Sequence, residues 1–330
     1  MNARIEQISY ALPDRVVSNT ELRESYPEWD FDRLEDRTGV FQRHIADDDE
    51  TALDLAERAC GDLDLGGIDG LIFCTETPDH PIPSNACMLH GRLGLAKNVP
   101  ALDINMGCSG YVYGLEAARG MIATGTATRI LLATGDTYSR LINPGDRATR
   151  VLFGDGVAVS IIAAAESGDG IVDLSMGSDG KYYDRFMVPA GGMRLPFSPD
   201  TAAETTDKSG NVRSLDNITM DGFGVLSFFN ATLPGEVRDL LARNDLEMDD
   251  IDVFVFHQAS RVALDSIARA LKIPEAKMVR NMGKVGNLVS ASVPVSLKMA
   301  LDEAQAKPGD LAVLCGFGVG LSWATALVRL

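Results

Sequence analysis

Basic residues are scarce in this 330-residue chain, which has 30 lysines and arginines against 47 aspartates and glutamates and a formal net charge of −17. Proteins that bind a nucleic-acid backbone or an anionic membrane surface carry a basic footprint. The shortage of positive charge therefore argues against nucleic acid and membrane lipid as partners. Apolar residues make up 45% of the chain, which is enough for a substantial core.

Cysteines are few: the five occur singly, with no CxxC pair. An odd number without close spacing is typical of a reduced, cytoplasmic chain and argues against a zinc site. No apolar run approaches the roughly 20 residues of a membrane span. The amino terminus also lacks the apolar core of a secretory signal. We therefore expect a cytoplasmic protein without a metal site.

Apolar runs that fit buried strands alternate with segments of helical periodicity along the chain. Strands are predicted for residues 4–12, 68–74, 101–105, 129–134, 157–165, 251–256, 278–281, 311–316 and 321–328. Helices are predicted for residues 51–62, 84–93, 222–242, 260–271 and 287–304, with a further helix from Cys108 onward. This alternation predicts an α/β fold with mostly parallel central strand pairing.

The two parts of the chain follow the same plan. Each runs through a strand, a helix, a strand, a glycine turn, a long apolar helix and further strands. The tripeptide Asn-Met-Gly precedes the long helix in both, at residues 105–107 and 281–283. The matching order predicts a duplicated α/β unit, with one half over residues 1–170 and the other over 171–330. Residues 175–220, polar and glycine-rich, are predicted to form loops over a cleft.

Cys108 lies where a predicted buried strand meets a predicted buried helix, in the turn Gly-Cys-Ser-Gly at residues 107–110. The first N–H groups of a helix lack internal partners and carry partial positive charge, so a thiol there is expected to favour the thiolate. Small neighbours leave room for a substrate at the sulfur. A buried structural cysteine is the alternative, but the glycine-flanked turn favours a nucleophile.

Two polar residues are candidate partners of Cys108. His257 follows the predicted strand 251–256, and ligands of open α/β sheets bind at the carboxyl ends of strands. Asn287 occupies in the second half the place of Cys108 in the first, and its amide can donate a hydrogen bond to a developing oxyanion. A hydrogen-bonded structural histidine and an N-cap asparagine are the alternatives.

Residues 316–323, with the sequence GFGVGLSW, lie between two predicted strands. Their glycines allow a backbone N–H group to come close to the sulfur of the cysteine. The segment lacks the strand–GxGxxG–helix context of a dinucleotide fingerprint, so it does not indicate NAD binding.

Seven stretches, in order along nearly the whole chain, resemble the β-ketoacyl-acyl-carrier-protein synthase III family of thiolase-fold condensing enzymes. They are RTGV (37–40), DINMGCSGY (103–111), PGDRAT (144–149), FGDGV (153–157), HQA (257–259), GNLVSASVP (286–294) and GFGVGLSW (316–323). The resemblance implies a thiolase-like, five-layered αβαβα fold of two related halves that works as a homodimer. It also implies a reaction between thioesters that needs no metal ion and no bound cofactor.

By the same resemblance, Cys108 takes an acyl group from an acyl-CoA. His257 and Asn287 then stabilise the enolate that forms as a malonyl thioester, on CoA or on an acyl carrier protein, loses carbon dioxide. The carbanion attacks the thioester on Cys108 and gives a β-ketoacyl product. The backbone N–H groups of Cys108 and Val319 are expected to form the oxyanion hole.

The resemblance places Arg37 and Arg147 near the CoA and Phe317 in the substrate site. Ile82 occupies the position of a bulky residue that reaches into the partner's acyl pocket, and its smaller size predicts a roomier acyl site. Arg33 stands where the family usually carries a tryptophan before the RTG motif. These departures favour a specialised member, in a secondary-metabolite, modified-sugar or unusual-starter pathway, over housekeeping fatty-acid initiation.

Other functions are compatible with the sequence. An acyltransferase would pass the acyl group to an alcohol or amine without decarboxylation, although relatives of that kind often alter the residue at Asn287. A silent partner subunit would usually lack the cysteine. A hydrolase is a further alternative. So is a hydroxymethylglutaryl-type synthase, which would need a carboxylate base near Cys108, and Glu76 is the candidate for that base.

Overall fold

A computed structural model describes residues 2–165 and 169–330. The strands are β1 (Asn2–Ala11), β2 (Val16–Ser18), β3 (Gln42–His44), β4 (Gly70–Cys74), β5 (Ala101–Ile104), β6 (Arg129–Asp136), β7 (Gly156–Ala165), β8 (Gly170–Ser178), β9 (Phe186–Met187), β10 (Thr205–Thr206), β11 (Val212–Arg213), β12 (Thr219–Met220), β13 (Val253–Phe256), β14 (Leu311–Gly318) and β15 (Ser322–Arg329). The α-helices are α1 (Asn19–Ser25), α2 (Phe31–Thr38), α3 (Ala52–Cys60), α4 (Asn85–Arg92), α5 (Gly110–Ala123), α6 (Arg147–Arg150), α7 (Gly222–Ala242), α8 (Arg261–Leu271), α9 (Met282–Val285) and α10 (Ser292–Asp302). Within the two described ranges, no helix combines the length and apolar character that a membrane crossing requires.

Two mixed sheets form the framework. The first has the strand order β1-β7-β6-β4-β5, and the second has the order β8-β15-β14-β13. β4 runs parallel to β5 and β6, and β13 runs parallel to β14, but the other neighbours are antiparallel. The prediction of mostly parallel central pairing is therefore wrong for β7 and β15, interior strands that are antiparallel to both of their neighbours. β15 follows β14 after residues 319–321 alone, and a connection that short can only join antiparallel strands.

The second sheet repeats the strand order of the first. β8, β15, β14 and β13 take the places of β1, β7, β6 and β4. Where the sequence predicts a strand over residues 278–281, only an isolated parallel bridge from Phe254 to Met278 occupies the place of β5. The first sheet uses residues 2–165, and the second uses residues 170–178 and 253–329. The division of the chain at residue 170 stays a prediction.

Helices and sheets stack in five alternating layers, so the predicted αβαβα class is confirmed. Helices α3 and α4 cover the outer face of the first sheet, and α7 and α8 pack on the outer face of the second. Helices α5 and α10 lie between the sheets and are therefore apolar or small on nearly every side. In α5, a methyl group on Gly114 would lie 2.6 Å from Cδ1 of Leu132, so the helix fits closely on its sheet.

Asn287 lies outside a helix, although the sequence predicts one over residues 287–304. Helix α10 begins only at Ser292. Gly286 has φ 76° and ψ −165°, and Val289 has φ 51°. Backbone angles of this kind interrupt a right-handed helix. The predicted start of the second long helix is therefore wrong, because the turn around Asn287 needs left-handed conformations on either side of it.

The buried guanidinium of Arg43 in β3 forms hydrogen bonds with the segment that holds this turn. Arg43 is 1% exposed and donates hydrogen bonds to the Val151 carbonyl at 2.7 Å and to Oδ1 of Asn19 at 2.5 Å. Burial lowers the pKa of Arg43 to about 10. The residue after Val151, Leu152, accepts a hydrogen bond from the Asn287 N–H at 2.9 Å. Arg43 therefore connects β3 to the backbone segment that holds Asn287.

Replacing Arg43 by methionine is expected to lower the free energy of unfolding by roughly 2–4 kcal/mol, because buried acceptors lose their donor. Urea denaturation followed by circular dichroism measures the change. The control is Arg23, which is partly exposed and pairs with Asp32 at 2.8 Å. Arg23→Met should cost much less than Arg43→Met, because a solvent-exposed ion pair contributes little to stability. Equal losses in the two variants would contradict the role given to Arg43.

Candidate active site

One cavity of about 410 Å³ brings together most of the predicted site residues. Those that line it are Cys108, His257, Asn287, Arg37, Arg147 and Phe317. Ile82 does not line this cavity, and its side chain is 85% exposed on the loop between β4 and α4. The expectation for Ile82 concerns the pocket of a partner subunit, so it stays a prediction.

Cys108 lies in the turn between β5 and α5 and is 2% exposed. Burial raises the pKa of its thiol, and the nearby carboxyl groups of Glu76 and Asp136 raise it further. The N–H groups of Val319 and of Cys108 itself act in the opposite direction. The predicted bias toward the thiolate is therefore wrong. Helix α5 begins only at Gly110, and the loss of hydration outweighs the effect of its terminus.

The end of β14 packs directly on Cys108. A methyl group on Gly318 would lie 2.6 Å from Cys108 Sγ, and one on Gly316 would lie 2.5 Å from the Cys108 carbonyl oxygen. Only glycine fits at so close an approach. The same approach turns the Val319 N–H toward the sulfur, beside the N–H of Cys108. Two backbone donors therefore face the sulfur of Cys108.

His257 follows β13 directly and is held through its backbone, since its N–H donates to the Cys315 carbonyl at 2.7 Å. Its ring stands edge-on to Phe317, with 5.4 Å between centroids and an angle of 87°. Burial lowers the pKa of His257 to about 3. Among the described residues, Nδ1 has no hydrogen-bond partner. The imidazole is therefore neutral at pH 7 and can donate from one of its two nitrogens.

The side chain of Asn287 is oriented by neighbouring backbone. Its Oδ1 accepts a hydrogen bond from the Val289 N–H at 3.0 Å, and its own carbonyl accepts from the Gly154 N–H at 3.0 Å. With the amide oxygen occupied, the NH₂ group is the end left to donate into the cavity. Asn287 is the N-cap of neither α9 nor α10, so the capping alternative is wrong.

Glu76 lies beside the turn that carries Cys108. The sequence suggests this residue only as the base of one alternative function, a hydroxymethylglutaryl-type synthase. The residue follows β4, and a methyl group on Gly107 would lie 2.6 Å from its Oε2. The Tyr138 hydroxyl donates a hydrogen bond to the same oxygen. Burial, with a smaller contribution from Asp136, raises the pKa of Glu76 to about 7. Its place after a buried strand is the one signal in the sequence that marks it.

Arg37 and Arg147 lie on short helices at the edge of the cavity. Arg37 is exposed in the last turn of α2, and Arg147 opens α6 and donates to the Ser209 carbonyl at 2.8 Å. Trp29, the tryptophan nearest upstream of the RTG motif, is 8% exposed and stacks on Tyr26 with 4.1 Å between centroids. Trp29 therefore belongs to a local core and does not line the cavity.

Family models and curated relatives that match this chain all belong to one enzyme family. A model of 3-oxoacyl-[acyl-carrier-protein] synthase III matches residues 102–180, and the C-terminal model of that family matches residues 241–330. The β-ketoacyl-[acyl-carrier-protein] synthase III of Alkalilimnicola ehrlichii is 37% identical over 336 residues, which cover 99% of this chain and 99% of the relative. The chain belongs to the β-ketoacyl-[acyl-carrier-protein] synthase III family.

Two solved structures extend the synthase III match to the whole fold. A 3-oxoacyl-(acyl-carrier-protein) synthase III superposes over 100% of both chains, with 39% identity and a TM-score of 0.97. The priming β-ketosynthase of the R1128 polyketide pathway matches over 99% of this chain and 96% of its own, with 26% identity and a TM-score of 0.85. The predicted family, thiolase-type fold and acyltransferase class are thus confirmed. In the part of the chain that is described, no group of three or more His, Cys, Asp or Glu side chains is placed to hold a metal ion.

His257 is expected to stay neutral throughout the physiological range, because burial holds its pKa near 3. The ring carbon–proton resonances of a histidine-labelled sample test this, since the chain has four histidines. The resonance missing from His257→Gln assigns the residue, and that signal should not shift between pH 5 and pH 8. A titration midpoint near 6.5, the ordinary histidine value, would contradict the burial argument.

Proposed function

We propose that this site catalyses a decarboxylative condensation of the β-ketoacyl synthase III type. An acyl thioester and a malonyl thioester would react to give a β-ketoacyl thioester and carbon dioxide. The observation that carries the proposal is one cavity in which a thiol, an imidazole and an amide from three separate elements meet. Membership of the synthase III family supports the same reaction.

In the first step, the sulfur of Cys108 bonds to the carbonyl carbon of an acyl-CoA, and CoA leaves as a thiol. The N–H groups of Cys108 and Val319 face the sulfur, so they can bind the thioester oxygen as it becomes negative. A preorganised donor of this kind is worth roughly 3 kcal/mol of transition-state stabilisation. The covalent bond then holds the electrophile for the second substrate.

In the second step, the carbonyl oxygen of the malonyl thioester becomes an enolate as carbon dioxide leaves. The neutral imidazole of His257 and the NH₂ group of Asn287 are the donors available to that oxygen. Neither has to gain or lose a proton to stabilise the charge. The carbanion attacks the acyl carbon on Cys108, and the bond between that carbon and the sulfur breaks. The β-ketoacyl thioester leaves, and Cys108 remains as a thiolate that takes one proton from water to return to the thiol.

The walls of the cavity fit a CoA thioester as the acyl donor. Arg37 and Arg147 offer guanidinium groups at its exposed side, where phosphates would lie. The inner walls are aromatic and suit an apolar acyl group; they are formed by Phe153, Phe186, Phe229 and Phe317. The malonyl group would arrive on CoA or on an acyl carrier protein. The five free thiols support a cytoplasmic location.

We also propose that the protein is a homodimer. β5 is the last strand of the first sheet, and among the described residues it pairs only with β4. Its outer edge therefore presents unpaired N–H and C=O groups, and Leu102 on it is 39% exposed. A second copy of β5 could cover this edge. The exposed Ile82 follows the neighbouring strand β4 and would then be close to the partner's cavity.

Variants of the three cavity residues separate the two steps. Cys108→Ser should abolish acyl-enzyme formation, because the thiol is the acyl carrier. His257→Ala and Asn287→Ala should leave acylation largely intact but lower carbon dioxide release by roughly 100-fold each, since each removes an enolate donor. Intact-protein mass after incubation with a panel of acyl-CoAs measures acylation, and labelled carbon dioxide measures decarboxylation.

Two outcomes of that experiment would contradict the proposal. If both alanine variants release carbon dioxide at the rate of the unmodified enzyme, the roles of His257 and Asn287 are wrong. If the acyl group on Cys108 does not react with malonyl thioester but is transferred to alcohols or amines, the protein is the alternative acyltransferase. An adduct on another residue in the mapped peptides would rule out Cys108 as the nucleophile.

Leu102→Lys is expected to give monomers, because a charged side chain would face its own copy at the β5 edge. Sedimentation velocity measures the effect, starting from a species of twice the 35.4 kDa chain mass. Val172→Lys is the matched control, since Val172 is 40% exposed on β8, the edge strand of the other sheet. A dimer that survives Leu102→Lys would show that β5 is not the interface.

A further inference from the structure

A buried polar cluster beside Cys108 takes no part in the reaction described so far. It consists of Glu76, Asp136 and Tyr138, and the last two are 1% and 3% exposed. The two carboxyl groups have different partners. Burial raises the pKa of Asp136, but its carboxylate accepts hydrogen bonds from the Ser290 hydroxyl at 2.6 Å and from the Glu76 N–H at 2.7 Å, which act in the opposite direction.

Glu76 is the member of this cluster that can change its charge. Its carboxylate accepts a hydrogen bond from one described group, the Tyr138 hydroxyl. Two buried carboxyl groups this close do not readily ionise together, and Asp136 has the better hydrogen bonds. Burial and Asp136 therefore raise the pKa of Glu76 to about 7, although the Tyr138 hydroxyl lowers it. Near pH 7 the group is divided between its acid and base forms.

The position of Glu76 in the fold places it at the nucleophile. β4 and β5 are parallel neighbours with Cys74 paired to Ile104, so the residues that follow them share one edge of the sheet. The Glu76 carboxylate packs on Gly107, the residue before Cys108. In the second sheet β13 takes the place of β4 and is followed directly by His257. Each sheet therefore sends a titratable side chain toward the site from just after the end of the corresponding strand.

Within residues 2–165 and 169–330, no positively charged group acts on the carboxyl group of Glu76. The titratable side chains that face it are Asp136 from β6, Tyr138 from the turn after it, Cys74 from β4, and Cys108. An ionised Glu76 thus lacks a cationic partner among the described residues. In such surroundings the neutral form of a carboxyl group is favoured, so the carboxylate readily accepts a proton from a neighbouring acid.

Acylation of Cys108 requires a group that accepts its proton. Burial raises the pKa of the thiol, so the proton is present at neutral pH. His257 is a poor acceptor, because burial lowers its pKa to about 3. A general base works best when its pKa lies near the operating pH. Of the titratable groups close to Cys108, Glu76 meets that condition.

We propose that Glu76 is a further catalytic residue, which takes the proton of the Cys108 thiol during acylation and returns it to the CoA sulfur. This inference rests on the proposed function. The proton passes to the carboxylate, directly or over one water, as the sulfur bonds to the acyl carbon. When the carbon–sulfur bond to CoA breaks, Glu76 gives up the proton. Cys108 ends as a thioester, CoA as a thiol and Glu76 as a carboxylate.

The pH dependence of single-turnover acylation tests this role by quenched-flow intact mass with an acyl-CoA. The base form of Glu76 exists above its pKa, so the acylation rate of the unmodified enzyme should rise with pH through about 7 and then level off. Glu76→Gln should lower the rate at pH 8 by roughly 100-fold or more and remove the rise. Tyr138→Phe removes a donor that lowers the pKa of Glu76, so the rise should move to higher pH.

Glu116→Gln is the matched control. Glu116 lies on α5 and pairs with Arg119 at 2.6 Å, and it is not one of the carboxyl groups that raise the pKa of Cys108, so its variant should keep the unmodified profile. Once acylated, Glu76→Gln should still be discharged by malonyl thioester at the unmodified rate. That second measurement separates a role in acylation from general damage to the site.

Three results would overturn the inference. If Glu76 only repels the thiolate, acylation will fall as pH rises through 7, and Glu76→Gln will be faster than the unmodified enzyme. If the residue is merely structural, its variant will be slower by the same factor at every pH and will keep the rise. If no acyl-CoA acylates Cys108 of the unmodified enzyme, the proposed function fails first and the inference with it.

Discussion

The contact between the end of β14 and the Cys108 turn is the constraint on which the site depends. Gly318 has no room for a side chain, because the sulfur of Cys108 packs against it. The same contact turns the Val319 N–H to the sulfur and sets Phe317 edge-on to His257. A single packing contact between the two sheets therefore aligns Cys108, the Val319 N–H group and His257.

Burial then decides the charge of each group in the cavity. The thiol of Cys108 and the imidazole of His257 are both held neutral, the first by a raised pKa and the second by a lowered one. Such a site does not rest on a preformed thiolate–imidazolium pair. It uses N–H donors, from backbone and from Asn287, whose strength does not vary with pH. Sensitivity to pH is concentrated in Glu76, the buried group with a pKa near 7.

The family, the α/β class and the meeting of Cys108, His257 and Asn287 could be predicted because each depends on a local pattern: a glycine-flanked turn, an apolar strand with a polar successor, an ordered set of motifs. The wrong predictions concern quantities set by distant packing. The pKa of the thiol depends on burial and on carboxyl groups from two other strands. The break before α10 depends on left-handed angles at Gly286 and Val289, and a valine gives no sign of such an angle in a sequence.

Both sheets contribute residues to the site, so activity requires that the two sheets stay packed against each other. Neither sheet holds Cys108 together with His257 and Asn287, so opening the junction between the sheets separates these residues before either sheet has unfolded. The temperature of thermal inactivation should therefore reflect the stability of the contact between the two sheets. A thioester bound across that contact stabilises both sheets, because it binds only when they are packed together. Substitutions on the buried faces of α5 and α10, which touch no substrate, can consequently tune catalytic rate through the fit between the layers.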